Sequence, residues 1–152
     1  MSTKRTLSDA ELFASLEAEQ LPELEPELEL ELEPELLPEL ERKGEKFDLV
    51  ILDPPAFTKS RASVKKAVTG YREINLRGIK LVKNGGYLAT CSCSHFMTPE
   101  LFTKTVGEAA RDARRRLRQV EYRTQSPDHP VLWGADQSLY LKFYIFQVVD
   151  DA

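Results

Sequence analysis

The chain has 152 residues, room for one domain and not two. An apolar share of 41% and a charged share of 30% are those of a soluble globular protein. Its net charge of −4 conceals two unlike halves. Residues 1–46 carry five Lys/Arg against fourteen Asp/Glu, a net of −9, and residues 47–152 carry sixteen against eleven, a net of +5. An acidic leader thus precedes a mildly basic body. The body suits an anionic partner such as RNA, although a solvated surface gives the same count.

The longest strongly apolar run, 139–149, is interrupted by Lys142 and is too short to cross a bilayer. The start, MSTKRTLSDAEL, lacks the apolar core of a signal peptide, so a cytoplasmic location and no membrane contact are expected. The two cysteines, Cys91 and Cys93, stand too close in sequence to pair with each other. They have no second ligand pair for zinc, and no metal site is read.

In chain order, residues 7–20 predict a short helix: Ser8 and Glu11 have capping-box spacing, and Leu12, Phe13 and Leu16 make a small apolar stripe. Residues 22–41 are a tetrapeptide repeat, PELE PELE LELE PELL PELE. Its prolines each cost roughly 3 kcal/mol inside a helix, which argues against one continuous helix. Leu28 to Glu33 alternates, as a strand with one leucine face or an acidic linker would. A short helix starting near Pro38 is a third pattern in this stretch.

From Phe47 the character changes. FDLVILD, 47–53, reads as a parallel strand buried on both faces. Val64, Val68, Tyr71, Ile74, Ile79 and Val82 predict a helix over 62–82, ended by Asn84-Gly85-Gly86 with glycine in the left-handed cap. GYLATCSCS, 86–94, is the second strand. Thr98-Pro99 opens another helix whose inner face is Leu101, Phe102, Val106, Ala109, Ala110 and Ala113. Residues 119–124 and 139–149 close the chain as a strand pair joined by a long loop. The expected fold is α/β: half of a doubly wound sheet, about four mixed strands with a terminal antiparallel pair. The domain is placed at 37–150 and the acidic leader at 1–36. Phe47–Asp53 is then an apolar edge, expected to be covered by Leu28–Glu33, a second copy or a partner chain.

Ligands of open α/β sheets bind beyond the carboxyl ends of the strands. The two parallel strands end at Asp53-Pro54-Pro55 and at Cys93-Ser94, with tips about 5 Å apart if they are neighbours. A carboxylate and a thiol then share one crevice. Phe57 offers a ring able to stack on a base. Cys93 is read as a nucleophile and Cys91, further inside the strand, as a small buried residue. Arg111, Arg114, Arg115 and Arg118 have the spacing of one helix face and could meet RNA phosphates. His129 is read as loop-fixing rather than as orienting RNA or the cofactor, and His95 equally as a strand-end residue or as lining the pocket.

Asp53-Pro54-Pro55-Ala56-Phe57 resembles motif IV of class I S-adenosylmethionine-dependent methyltransferases, and Cys91-Ser92-Cys93-Ser94 resembles motif VI of their RNA 5-methylcytosine branch. Gly70-Tyr71-Arg72-Glu73-Ile74-Asn75, Asp128-His129-Pro130-Val131 and Tyr140-Leu141-Lys142 are similar to the bacterial large-subunit ribosomal RNA cytosine-5 methyltransferases. The likeness runs from about Leu37 to Val149. It implies a Rossmann-like fold, S-adenosylmethionine as methyl donor and ribosomal RNA as partner. It also implies that Cys93 attacks carbon-6 of cytosine while Asp53 holds the polar edge of the ring. Asp53, Pro54 and Pro55 would border the cofactor; Phe57, Ser94, Arg114 and Arg115 would meet the substrate. Ala56 stands where many relatives carry a second cysteine. The family's upstream glycine-rich loop has no counterpart, since residues 1–46 hold one glycine, Gly44. Two other readings stay open: a non-catalytic module retaining half the fold, and an amino-methylating enzyme, which needs no cysteine.

Overall fold

The computed structural model describes residues 35–57 and 61–150. The expected helix at 7–20 and the alternating segment at 28–33 lie outside the described residues. Residues 35–42 form a helix, α1, which starts ahead of Pro38. Then follow β1 (Phe47–Leu52), α2 (Val64–Leu81), β2 (Val82–Ser92), α3 (Pro99–Asp112), β3 (Arg115–Arg123) and β4 (Lys142–Asp150). Short 3-10 turns lie at Arg61–Ser63 and Asp136–Ser138.

The four strands form one sheet in the order β1-β2-β4-β3. β1 and β2 run parallel, with Leu52 opposite Thr90. β4 lies antiparallel to both β2 and β3, with Ser92 opposite Lys142 and Tyr122 opposite Tyr144. The parallel pair needs a crossover, and α2 supplies it. The described domain is therefore the expected mixed α/β half-sheet of four strands, with a terminal antiparallel pair.

Side chains of a strand alternate between faces. Val50, Leu52, Leu88 and Val148 point to one face and pack with Ile79 and Leu81 of α2 and Ala109 and Ala110 of α3. A second cluster joins Ala67 and Tyr71 of α2, Met97, Phe102 and Val106 near and on α3, and Tyr144. Gly78 lets α2 come close, because a Cβ there would meet Leu52 Cδ1 at 2.7 Å. α3 is capped as the sequence predicts: Thr98 Oγ1 accepts from the Leu101 amide at 3.2 Å and Pro99 takes the first turn.

Three expectations are corrected. β1 is buried on one face only: Leu49 is 52% and Ile51 65% exposed, because β1 is the edge of the described sheet and both helices lie on the other side. α2 ends at Leu81 rather than at the glycines, with Val82 already extended. Gly85 does take a left-handed φ of +82, but within β2, where the register with β1 slips between Phe47 and Leu49. Finally, the arginine run is not a helix face. α3 stops at Asp112, Arg114 turns left-handed at φ 54, and Arg115 and Arg118 belong to β3. Arginine favours helix locally, but pairing with β4 buries Leu117 and Tyr122 against the core and decides the strand.

Candidate active site

The site forms where β1 and β2 end side by side. Asp53 follows Leu52 directly and therefore faces the bare side of the sheet, as Cys91 does two strand positions beyond Ala89. Cys91 Sγ donates to Asp53 Oδ1 at 3.0 Å and lies 3.7 Å from the Leu52 carbonyl. Burial, followed by the neighbouring Asp53 carboxylate, pushes the Cys91 thiol up to about 12. It is a protonated donor at neutral pH. Cys93 lies just past the end of β2 and is exposed. The structure thus brings both cysteines to the tip with Asp53, and gives the direct contact to Cys91, the cysteine that sequence reasoning set aside. The cause is the pleat: which of two alternate residues meets a neighbour depends on strand register.

Beneath the tip, on the helix-covered face, lies a buried polar column. Thr90 Oγ1 donates to Asn75 Oδ1 at 2.8 Å, while Asn75 Nδ2 donates to the Tyr71 carbonyl at 2.8 Å. One strand repeat further, Ser92 Oγ donates to Tyr71 Oη at 2.9 Å. Burial pushes the Tyr71 hydroxyl above its ordinary range. Beyond Ser92, the Lys142 ammonium donates to the Ser94 carbonyl and, at 2.8 Å, to the Tyr140 carbonyl. Lys142 is 1% exposed, and burial lowers its pKa to about 8. Thr90 and Ser92 thus tie β2 to α2, and Lys142 ties the end of β2 to β4. The column fixes the height at which the tip stands, and buried polar groups arranged this way must all be satisfied.

The remaining expected residues divide. Pro54 is buried and Pro55 exposed beside Asp53. Phe57 is partly exposed, and its ring meets Tyr71 edge-on with centroids 4.7 Å apart. It lies over Gly70, whose missing Cβ would sit 3.4 Å from the ring. Ser94 is buried, and it serves the turn through its carbonyl, which accepts from both Lys142 and the Met97 amide. Arg115 is far from the tip. Its Nη1 donates to the Val82 carbonyl at 3.0 Å, at the opposite end of β2, and its Nε lies 2.8 Å from Asp150 Oδ1. Arg114 precedes it in that same corner, so neither arginine joins the site. The end of β3 that does approach it carries Arg123, opposite Phe143, which in turn stands opposite Cys91. His129 is exposed, and its amide donates to the Ser126 carbonyl at 2.9 Å in a turn of the long loop. His95 is exposed against the Phe96 ring.

Sequence reasoning missed the roles of Cys91, Asn75, Tyr71 and Lys142. The signal for Lys142 was present: one lysine interrupts an otherwise apolar run, and such a residue is buried only with partners. No helix among the described residues is long and apolar enough to cross a membrane.

No protein-family model matches the chain. It is 43% identical over 109 residues to ribosomal RNA large subunit methyltransferase I of Alteromonas mediterranea, covering 72% of this chain and 28% of the relative. The protein of the same name from Shigella dysenteriae serotype 1 is 41% identical over 107 residues, covering 70% of this chain and 27% of the relative. The chain therefore spans little more than a quarter of the length of these curated relatives. Among solved structures, SMU.776, assigned as a methyltransferase and complexed with SAH, superposes with a TM-score of 0.62 at 19% identity. It covers 74% of this chain and 29% of that one. A SAM-dependent methyltransferase assignment from Streptococcus mutans gives 0.61 at 18% identity, over 74% and 28%. These two likenesses show the fold.

Proposed function

We propose that this chain, a homologue of the C-terminal part of the ribosomal RNA large subunit methyltransferases I, carries the catalytic end of an S-adenosylmethionine-dependent methyltransferase. Its substrate would be ribosomal RNA, methylated at carbon-5 of a cytosine through an adduct to Cys93. The observation that supports the reading is the division of labour between two cysteines at one strand tip. Cys91 is a buried thiol that donates to Asp53, whereas Cys93 is exposed beyond it.

The covalent chemistry requires the exposed thiol. Carbon-5 of cytosine is a poor nucleophile in the aromatic ring. The Cys93 thiolate adds to carbon-6, forming the S–C bond and pushing the ring electrons toward carbon-5. Carbon-5 then holds the electron pair that takes a methyl group, and loss of its proton returns the electrons and expels the thiolate. Asp53 faces the polar edge of the ring, and the hydrogen bond from Cys91 holds its carboxyl in that direction. Phe57, partly exposed beside the tip, offers an edge for the base. A basic body, net +5 over residues 47–152, favours an RNA partner, and a cytoplasmic setting accords with such a partner.

S-adenosylmethionine would supply the methyl group. Asp53, Pro54 and Pro55 give it one wall, but β1 is the edge of the described sheet, and no described strand precedes it to carry the upstream glycine-rich turn. The described residues alone do not enclose the donor. That same bare edge favours a second reading, a module that retains half the fold and binds RNA or a partner chain without catalysis.

Incubation with S-adenosylmethionine and ribosomal RNA containing 5-fluorocytidine tests the proposal, because fluorine at carbon-5 prevents release of the adduct. A denaturant-stable protein–RNA band is expected from the wild type and Cys91→Ser, and none from Cys93→Ser. Methyl transfer by Cys93→Ser would refute the covalent route. Absence of both methyl transfer and heat of cofactor binding would favour the module.

A further inference from the structure

Lys142 poses a question that the adduct chemistry leaves open. Its ammonium is buried, and burying a charge is costly unless it is compensated. Among the described residues no carboxylate pairs with it; its two acceptors are the carbonyls of Ser94 and Tyr140. Once ionised, the sulfurs of Cys93 and then Cys91 favour the ammonium. Strand pairing fixes this placement, since Lys142 sits opposite Ser92 at the first position of β4. From α2, Tyr71 reaches the same spot through its bond to Ser92, while the Cys91–Asp53 contact lies on the other face of the sheet.

We propose that Lys142 is a positioning residue for the Cys93 thiol: its buried ammonium ties the Ser94 carbonyl to the start of β4, fixes the turn that carries Cys93, and sets a positive charge where the thiolate forms. The inference rests on the reading of Cys93 as nucleophile. Both parts of the role follow from one group. The bond to Ser94 sets where the sulfur stands, and the charge favours the anion that attacks. A neutral hydrogen-bonding residue could keep the turn but not the charge. Arginine would keep the charge, but its planar fork cannot reproduce an ammonium bridging two carbonyls.

The test reads thiol chemistry of the full chain without RNA or cofactor, so its outcome is separate from that of methyl transfer. Iodoacetamide alkylation is followed at neutral pH, and tandem mass spectrometry locates the adduct on Cys93. In Lys142→Gln the rate at Cys93 is expected to fall several-fold, with Lys142→Arg intermediate. An unchanged rate in a folded Lys142→Gln protein overturns the proposal. A second measurement needs no substitution at Lys142. NMR titration of its side-chain nitrogen is compared between wild type and Cys93→Ser. The expected midpoint of about 8 in the wild type moves to lower pH when the thiol is removed. A lysine that merely supports the fold would titrate alike in both, and that result also overturns the proposal.

Discussion

The two faces of the sheet were built from the same strands and have opposite fates. On one face Val50, Leu52, Leu88 and Val148 are sealed by α2 and α3. On the other, one residue along each strand, Leu49, Ile51 and Tyr87 stand in solvent. Composition does not separate them, since β1 is apolar on both sides. What separates them is where the crossover helices lie. The polar groups follow the same division. Thr90, Ser92 and Lys142 are buried on the covered face, where Thr90 and Ser92 bond to α2 and Lys142 to the Ser94 and Tyr140 carbonyls. Asp53 is exposed on the bare face, where it can address a ligand. The covered face holds the tip rigid, and the bare face presents the reactive groups.

The contrast is sharpest in stability. Leu52→Ala removes a buried side chain and should cost about 2–5 kcal/mol, whereas Ile51→Ala next to it should cost well under half of that. Urea denaturation of the two variants measures both, and equal costs would show that the bare face is covered in solution. A smaller effect concerns the thiol that bridges the two sides of the tip. The raised pKa of Cys91, from 9.0 to about 12, means that its contribution to stability is complete below pH 9 and is lost as pH climbs toward 12. Lys142, lowered from 10.5 to about 8, acts with the opposite sign between those values and is common to wild type and Cys91→Ser. The wild type should therefore lose more stability than Cys91→Ser on passing from about pH 8 to about pH 11. Parallel loss would show that Cys91 titrates normally. The smallest change is expected from Ile51→Lys: folding stability within about 0.5 kcal/mol of wild type, but weaker self-association if the edge of β1 pairs with a second copy. Sedimentation velocity over a range of concentrations decides it, and concentration-independent values for both proteins would remove edge pairing.

Much of this architecture was legible in the sequence. Thr98-Pro99 announced α3, the apolar run ending in Asp53 announced β1, and the order of elements announced a parallel pair with neighbouring tips. The arginine run was misread because spacings of three and four describe a helix only while the chain remains helical, and the left-handed turn at Arg114 ends it. The glycines after α2 were misread for a related reason. Gly86 is needed because a Cβ there would meet the Asp48 carbonyl at 2.8 Å across the sheet, which is a long-range demand rather than a helix cap.

The sequence by itself determined the kinds of element, their order, and the expectation that one carboxylate and one thiol would share a crevice at the strand tips. Periodicity and capping are local, so local residues suffice to state them. Tertiary structure alone decided that Asp53 takes its hydrogen bond from Cys91, that Arg115 braces the far corner, and that Lys142 is buried behind Ser94. Each depends on strand register, which is fixed by pairing between residues tens of positions apart. A shift of one residue would turn every one of these side chains to the other face.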